Sequence, residues 1–363
     1  MSADIPLPRE TPLLLGHAAA ERALVDAWSS GRMAHAWLIC GPRGIGKATL
    51  AYRFARFVLS GGAAEQGGGL FGDAVPPGLD MAADHPVFRR VAAGGHADLK
   101  VVERGWSDDK QTRRRGEIVV EDVRGVGAFL SLTAAEGGWR VVIIDAADEM
   151  NRSSANAVLK VLEEPPRNAL LLLVAHSPGR LLPTIRSRCR RLMLQPLSET
   201  TVLELLRRNR PDLSDDDARA LARLGEGSVG RALALAGEGG LDLYRDMVGL
   251  LQGLPRLDIP ALHAFGDRVS RSGADQAWRT VTELFGWWLA RVIRTGGARQ
   301  SIAEVVPGEA EVAERLLSAA SLDQWVEVWE KNTSLFARAD AVNLDRKQVV
   351  LNAFQTVERL ARP

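Results

Sequence analysis

Five apolar residues, Ala36 to Cys40, run straight into Gly41-Pro42-Arg43-Gly44-Ile45-Gly46-Lys47, and helical periodicity takes over from Thr49 to Leu59. No other stretch restricts the fold as strongly. A strand that is apolar on both sides has to be covered on both faces, and a glycine turn leading directly into a helix places that strand in a parallel α/β sheet. Glycines at 41, 44 and 46 let successive backbone N–H groups converge on phosphate oxygens, and the helix N-terminus adds positive potential. Lys47 is then placed to reach the outer phosphates. The segment predicts a phosphate-binding loop built on Gly41, Gly44, Gly46 and Lys47.

The surrounding pattern agrees with a sheet. A helix over Ala18 to Ser30 precedes the loop strand, and further strands are expected at Leu99–Arg104, Glu117–Val120, Arg140–Ile144, Leu170–Val174 and Leu192–Leu194. Helices are expected between them at Glu121–Ser131 and Ser153–Leu162. Strands this apolar, alternating with helices, predict an α/β domain over residues 1–196. Residues 61–84 are rich in Gly, Ala and Pro without periodicity, and read as a mobile surface excursion outside the core. Beyond Gln195-Pro196-Leu197 every segment has the helical period. Gly239 and Gly240 suggest a boundary between a small three-helix unit, 197–240, and a larger bundle, 241–363. In the bundle, Trp278, Val281, Leu284, Phe285, Trp288 and Val292 form the wide apolar face of a helix packed among others.

Composition excludes some functions. The chain has 46 basic and 45 acidic residues, a net charge of +1. A protein whose main work is gripping a nucleic-acid backbone carries a marked basic excess, so any DNA contact is expected to be local or shared. The run Arg113-Arg114-Arg115 reads as a solvated loop. Two cysteines, Cys40 and Cys189, cannot make a zinc set or a disulfide framework. The sequence shows no basic-then-apolar leader and no run of ~18 apolar residues. A soluble protein of a reducing compartment, the cytoplasm, without membrane contact, is the expectation.

The loop lacks two groups that ATP hydrolysis uses. The hydroxyl residue that binds magnesium after the loop lysine is replaced by Ala48, and Thr49 points about 100° away around the helix. Thr49 is a poor substitute. Val141 to Asp148 reads VVIIDAAD, with Asp145 at the strand end where an acidic residue holds the metal. The second carboxylate, which would polarise the attacking water, is Ala146. Asp148 and Glu149 lie further on and are expected to cap the following turn or helix. Such a site should hydrolyse ATP poorly or not at all, while weak ATP or ADP binding stays compatible with it. His35 and His176 flank the strands near the loop, and both are read as structural, as is Cys40.

Two later segments carry a resemblance. Asn156 to Pro166, NAVLKVLEEPP, and Leu181 to Cys189, LLPTIRSRC, are similar to the clamp-loader branch of the AAA+ proteins. Within it the chain resembles the delta-prime family of the bacterial DNA polymerase III holoenzyme, in which the phosphate loop is degraded and the Ser-Arg-Cys triplet is kept. The resemblance implies an AAA+ phosphate-loop domain, a small helical lid and an all-α collar for oligomerisation. It implies a subunit without its own turnover whose Arg188 enters a neighbour's ATP site as an arginine finger. A guanidinium there neutralises charge that develops on the transferred phosphate, worth ~10³–10⁵ in rate. Arg186, Arg190 and Arg191 are read as a solvated edge or a weak DNA-facing surface.

The implied partners are motor subunits of the gamma/tau type and delta, in a five-subunit arc that loads a sliding clamp on primed DNA during replication. GEGSVGRALAL, residues 225–235, resembles the sensor-2 region, with Arg231 as the residue that would touch nucleotide or, alternatively, a plain helix-surface arginine. Many delta-prime proteins carry a four-cysteine zinc module after the phosphate-loop helix. Residues 61–84 contain no cysteine, so no zinc is expected, and no cofactor is required. The competing expectations are an active AAA+ motor, which would have to recruit Thr49 with Asp148 or Glu149, and a DNA-binding adaptor, which the charge balance disfavours.

Overall fold

The computed structural model describes residues 6–62, 78–107, 114–136 and 138–362. Contacts divide the chain into two compact units, residues 3–202 with 226–230, and residues 203–225 with 231–363. Residues 197–240 contribute to both.

The first unit holds β1 (Ala36–Cys40), β2 (Leu99–Val102), β3 (Arg140–Asp145), β4 (Ala169–Ala175) and β5 (Arg190–Met193). They form one parallel sheet in the order β2-β3-β4-β1-β5. The central strand, β4, and its neighbour β1 are buried along their whole length, which is why they read as unbroken apolar runs. Side chains of a strand alternate between faces. Trp37, Ile39, Val141, Ile143, Leu170 and Leu172 therefore meet α1 (Ala18–Ser29), α2 (Lys47–Leu59) and α3 (Pro86–Ala92). Leu38, Cys40, Val142, Ile144, Leu171 and Leu173 meet α4 (Val120–Val123), α5 (Val126–Ser131), α6 (Arg152–Glu163) and α7 (Pro183–Arg188) on the other side. The α/β expectation holds, and the strand order puts β1 and β3, which carry the loop and Asp145, on either side of β4.

Three local expectations are corrected. Glu117–Val120 is no strand: Ile118 makes one isolated bridge to Met150, and the chain turns helical at Val120 because Asp122 accepts the Val119 N–H at 2.9 Å. The single helix expected over 121–131 is two, α4 and α5, broken at Arg124-Gly125, where Gly125 has φ 88°. The excursion at 61–84 lies largely outside the described residues, yet its described end is not separate from the core. Leu79 is buried against the α1–α2 side of the sheet, and Asp80 pairs with the buried Arg53 at 2.8 Å. Arg53 also meets Glu21 at 2.8 Å, so that its charge is neutralised from two elements. Its apolar neighbours hid this role in the sequence. Of the arginine run, Arg113 lies outside the described residues, and Arg114 pairs with Glu103 at 2.9 Å.

The second unit is helical: most of α8 (Glu199–Asn209), α9 (Asp215–Leu224), most of α10 (Val229–Gly237), α11 (Gly240–Gln252), α12 (Ile259–Ser270), α13 (Asp275–Ala298), α14 (Glu309–Ala319), α15 (Leu322–Val342) and α16 (Arg346–Ala361). Helix starts are chemically marked. Ser214, Asp258, Ser321 and Asp345 each accept a backbone N–H from the first turn of α9, α12, α15 and α16. Its core is aromatic, with Phe285 packed edge-on against Phe354 and Phe336 at 5.0 and 5.9 Å. Glu309, fully buried, accepts the Val305 and Val306 N–H groups and pairs with Arg291 at 2.8 Å. No described helix is long and apolar enough to cross a membrane.

Candidate functional site

The turn between β1 and α2 brings Gly41, Gly44, Gly46 and Lys47 together. All three glycines have positive φ, 146°, 75° and 103°. At Gly41 a side chain has no room, since a Cβ would lie 2.5 Å from the Leu194 carbonyl oxygen. The loop is tied down from outside by two groups that nothing in the local sequence marks. His17 donates from Nε2 to the Ile45 carbonyl at 2.7 Å, and Gly230 donates its N–H to the Gly44 carbonyl at 2.9 Å. Gly230 is needed for that approach, because a Cβ there would come within 2.9 Å of Gly44 Cα.

Lys47 is 2% exposed and its ammonium donates to the Pro42 carbonyl, within its own loop. Burial pushes it down to about 8, with Asp145 and then Asp148 opposing that shift and Arg43 adding to it. Asp145 ends β3 and is pushed up to about 6, by burial first and by Glu103, while Lys47 pulls it back. These two residues form one electrostatic unit at the C-terminal edge of the sheet. Ala48 and Thr49 follow in the first turn of α2, both half-buried.

The acidic residues after Asp145 have other duties. Ala146 is buried, and Asp148, expected to cap the next turn or helix, instead accepts the backbone N–H groups of His176 and Ser177 at 2.9 and 2.8 Å. It thus closes the turn after β4, while the cap of α6 is Asn151, which accepts the Ser154 N–H at 3.0 Å. Glu149 pairs with Arg43 at 3.2 Å and with Arg104 at 2.8 Å, one oxygen to each. Neither carboxylate is left to polarise a water. The set does not fit a hydrolytic magnesium centre: the residue after Lys47 and the residue after Asp145 are both alanines, which offer a metal or a water no ligand.

Two histidines flank the strands near the loop. His176, beside Asp148, is pushed down to about 4 by burial first and by Lys47, so it is neutral at physiological pH. His35 hydrogen-bonds the Leu162 carbonyl at 3.2 Å. Both cysteines are buried free thiols, and burial pushes Cys189 up to about 12, well out of reach of a thiolate role.

Arg188 is the last residue of α7, at the end of the Ser187-Arg188-Cys189 triplet's helix. Its Nη2 lies 2.8 Å from Glu163 Oε1, its Nη1 donates to the Thr184 carbonyl at 3.1 Å, and its side chain is 37% exposed. The adjoining arginines sit on the outer strand β5, where Arg190 lies over the ring of the buried Trp37 at 4.8 Å. Arg231 belongs to the helical unit, where it pairs with Glu283 at 3.1 Å and faces the Trp287 ring at 5.8 Å. The first unit thus gathers the loop, Lys47 and Asp145 at one site and displays Arg188 elsewhere on its surface.

A family model described as "DNA polymerase III, delta subunit" matches residues 16–198. A DNA polymerase III subunit delta' of Pseudomonas aeruginosa is 32% identical over 266 residues, 72% of this chain and 72% of that protein. The subunit delta' of Escherichia coli is 34% identical over 212 residues, 58% of this chain and 57% of that one. The tau subunit of the same organism is 32% identical over 217 residues, covering 59% of this chain and 30% of tau.

Proposed function

This chain belongs to the delta-prime family of DNA polymerase III subunits, and from that premise we propose that it works as a non-motor subunit of a clamp loader, completing a neighbour's ATP site with Arg188. One observation carries the reading. A guanidinium at the end of α7 is held at the surface by 2.8 Å and 3.1 Å contacts, while the chain's own phosphate loop lacks both the metal-binding hydroxyl and a free water-activating carboxylate.

In this reading the loop is kept as scaffold. Lys47 turned onto Pro42 takes up the ammonium that would otherwise reach a phosphate, while Gly230 and His17, donating to the Gly44 and Ile45 carbonyls, hold the loop in shape from outside. No cofactor is required, ATP or ADP binds weakly if at all, and no zinc is held. The partners are motor subunits of the gamma/tau type and delta, assembled as a five-subunit arc through the helical collar, which opens a sliding clamp and places it on primed DNA in the cytoplasm. Residues 197–240 act as the lid. Arg188 then does one thing: it brings a fixed, planar, always-charged group to oxygens on which negative charge grows as the terminal phosphoryl leaves.

The test is Arg188→Ala in the reconstituted loader. Turnover at the site that Arg188 serves should fall at least ~10³-fold, the lower end of what a missing arginine finger costs, while size-exclusion chromatography shows an intact assembly. Unchanged turnover in an intact assembly removes the finger role. The isolated chain should show no DNA-stimulated ATP hydrolysis.

A further inference from the structure

Arg188 already has a carboxylate partner in its own chain. Glu163 closes α6 and Arg188 closes α7, and their side chains meet at 2.8 Å with exposures of 48% and 37%. The helix ends are forced where they are by sequence. Glu164-Pro165-Pro166 stops α6, since a residue before proline is driven out of the helical region, and Pro183 starts α7. With the Thr184 contact, one of the five guanidinium N–H donors is hydrogen-bonded and a second nitrogen is paired with the carboxylate, which holds the group on its own chain.

The strength of this pair decides its role. A half-exposed, single-point ion pair shifts an equilibrium by about fivefold at most. A terminal phosphate carries about two charges and offers three oxygens to a guanidinium that can bind it bidentately, so it outcompetes one carboxylate oxygen. The pair is strong enough to order Arg188 when no phosphate is near and weak enough to be exchanged when one arrives. We propose that Glu163 is a positioning residue that parks Arg188 and is displaced when the arginine engages a neighbour's nucleotide. This rests on the trans-acting role of Arg188 proposed above.

Glu163→Gln keeps the shape and removes the charge, and Glu163→Asp keeps the charge. In the reconstituted loader, Glu163→Gln should lower the ATP concentration for half-maximal turnover about two- to fivefold and leave saturating turnover unchanged, because the engaged state no longer contains the pair. Glu163→Asp should return KM toward the wild-type value. If Glu163→Gln lowers saturating turnover without lowering KM, the carboxylate belongs to the engaged state and the parking role is wrong. If both parameters stay put, the pair has no function. Arg188→Ala in the same assembly separates the two ideas: an impaired Arg188→Ala with a silent Glu163→Gln overturns the parking alone, whereas an inert Arg188→Ala overturns both.

Discussion

Lys47→Met distinguishes a scaffold loop from a working one. The wild-type ammonium is 2% exposed and is carried from 10.5 down to about 8. Holding it charged inside the fold at pH 7 costs roughly 3 kcal/mol, at about 1.4 kcal/mol for each pH unit. Methionine fills nearly the same volume without the charge, and loss of the hydrogen bond to the Pro42 carbonyl returns about 1 kcal/mol. The variant should therefore be about 2 kcal/mol more stable at pH 7. The dependence on pH has a definite sign. Between about 8 and 10.5 the unfolded chain binds the Lys47 proton more tightly than the fold does, so wild-type stability climbs with pH across that window. The lead of the variant is full below the window and gone above it. Urea unfolding followed by tryptophan fluorescence at pH 7 and pH 10 measures it, and ATP turnover of the reconstituted loader should not change. A variant less stable than wild type at pH 7, or a lead that does not shrink at alkaline pH, refutes the burial argument. A tenfold drop in loader turnover refutes the scaffold reading.

Asp148→Ala should cost about 2–4 kcal/mol in chemical denaturation, because two backbone N–H groups at 176 and 177 lose their acceptor; a loss under about 0.5 kcal/mol, the range of an ordinary surface change, would mean water replaces the carboxylate. Gly230→Ala should lower stability by about 1–3 kcal/mol in thermal unfolding, since its Cβ would meet Gly44 main chain rather than a movable side-chain tip. A silent Gly230→Ala would show that the phosphate loop yields freely to its neighbour.

Much of the site was legible in the sequence. Ala48 and Ala146 announce the missing hydroxyl and carboxylate at their own positions, because spacing along a helix or from a strand end fixes where those groups would stand. The two groups that tie the loop were not legible. His17 reaches Ile45 across 28 residues, and Gly230 reaches Gly44 from the end of the chain segment that returns to the first unit. Neither position has a local pattern, since each is defined only by what lies opposite it in space. The error at Asp148 has the same origin. A carboxylate just past a strand end suits a local cap, yet the turn after β4 lies closer, and the local cap fell to Asn151.

What the amino-acid order determined alone is what depends on nearest neighbours: a glycine turn between strand and helix, strands apolar enough to demand cover on both faces, prolines that end α6 and begin α7, and the absence of two catalytic groups. The pairing of charges was decided by the tertiary structure. Arg53 between Glu21 and Asp80, Glu149 between Arg43 and Arg104, and Arg188 on Glu163 each join residues far apart along the chain. A charge acts through distance in space and through the water left around it, and neither quantity exists until the helices and the sheet have closed upon each other.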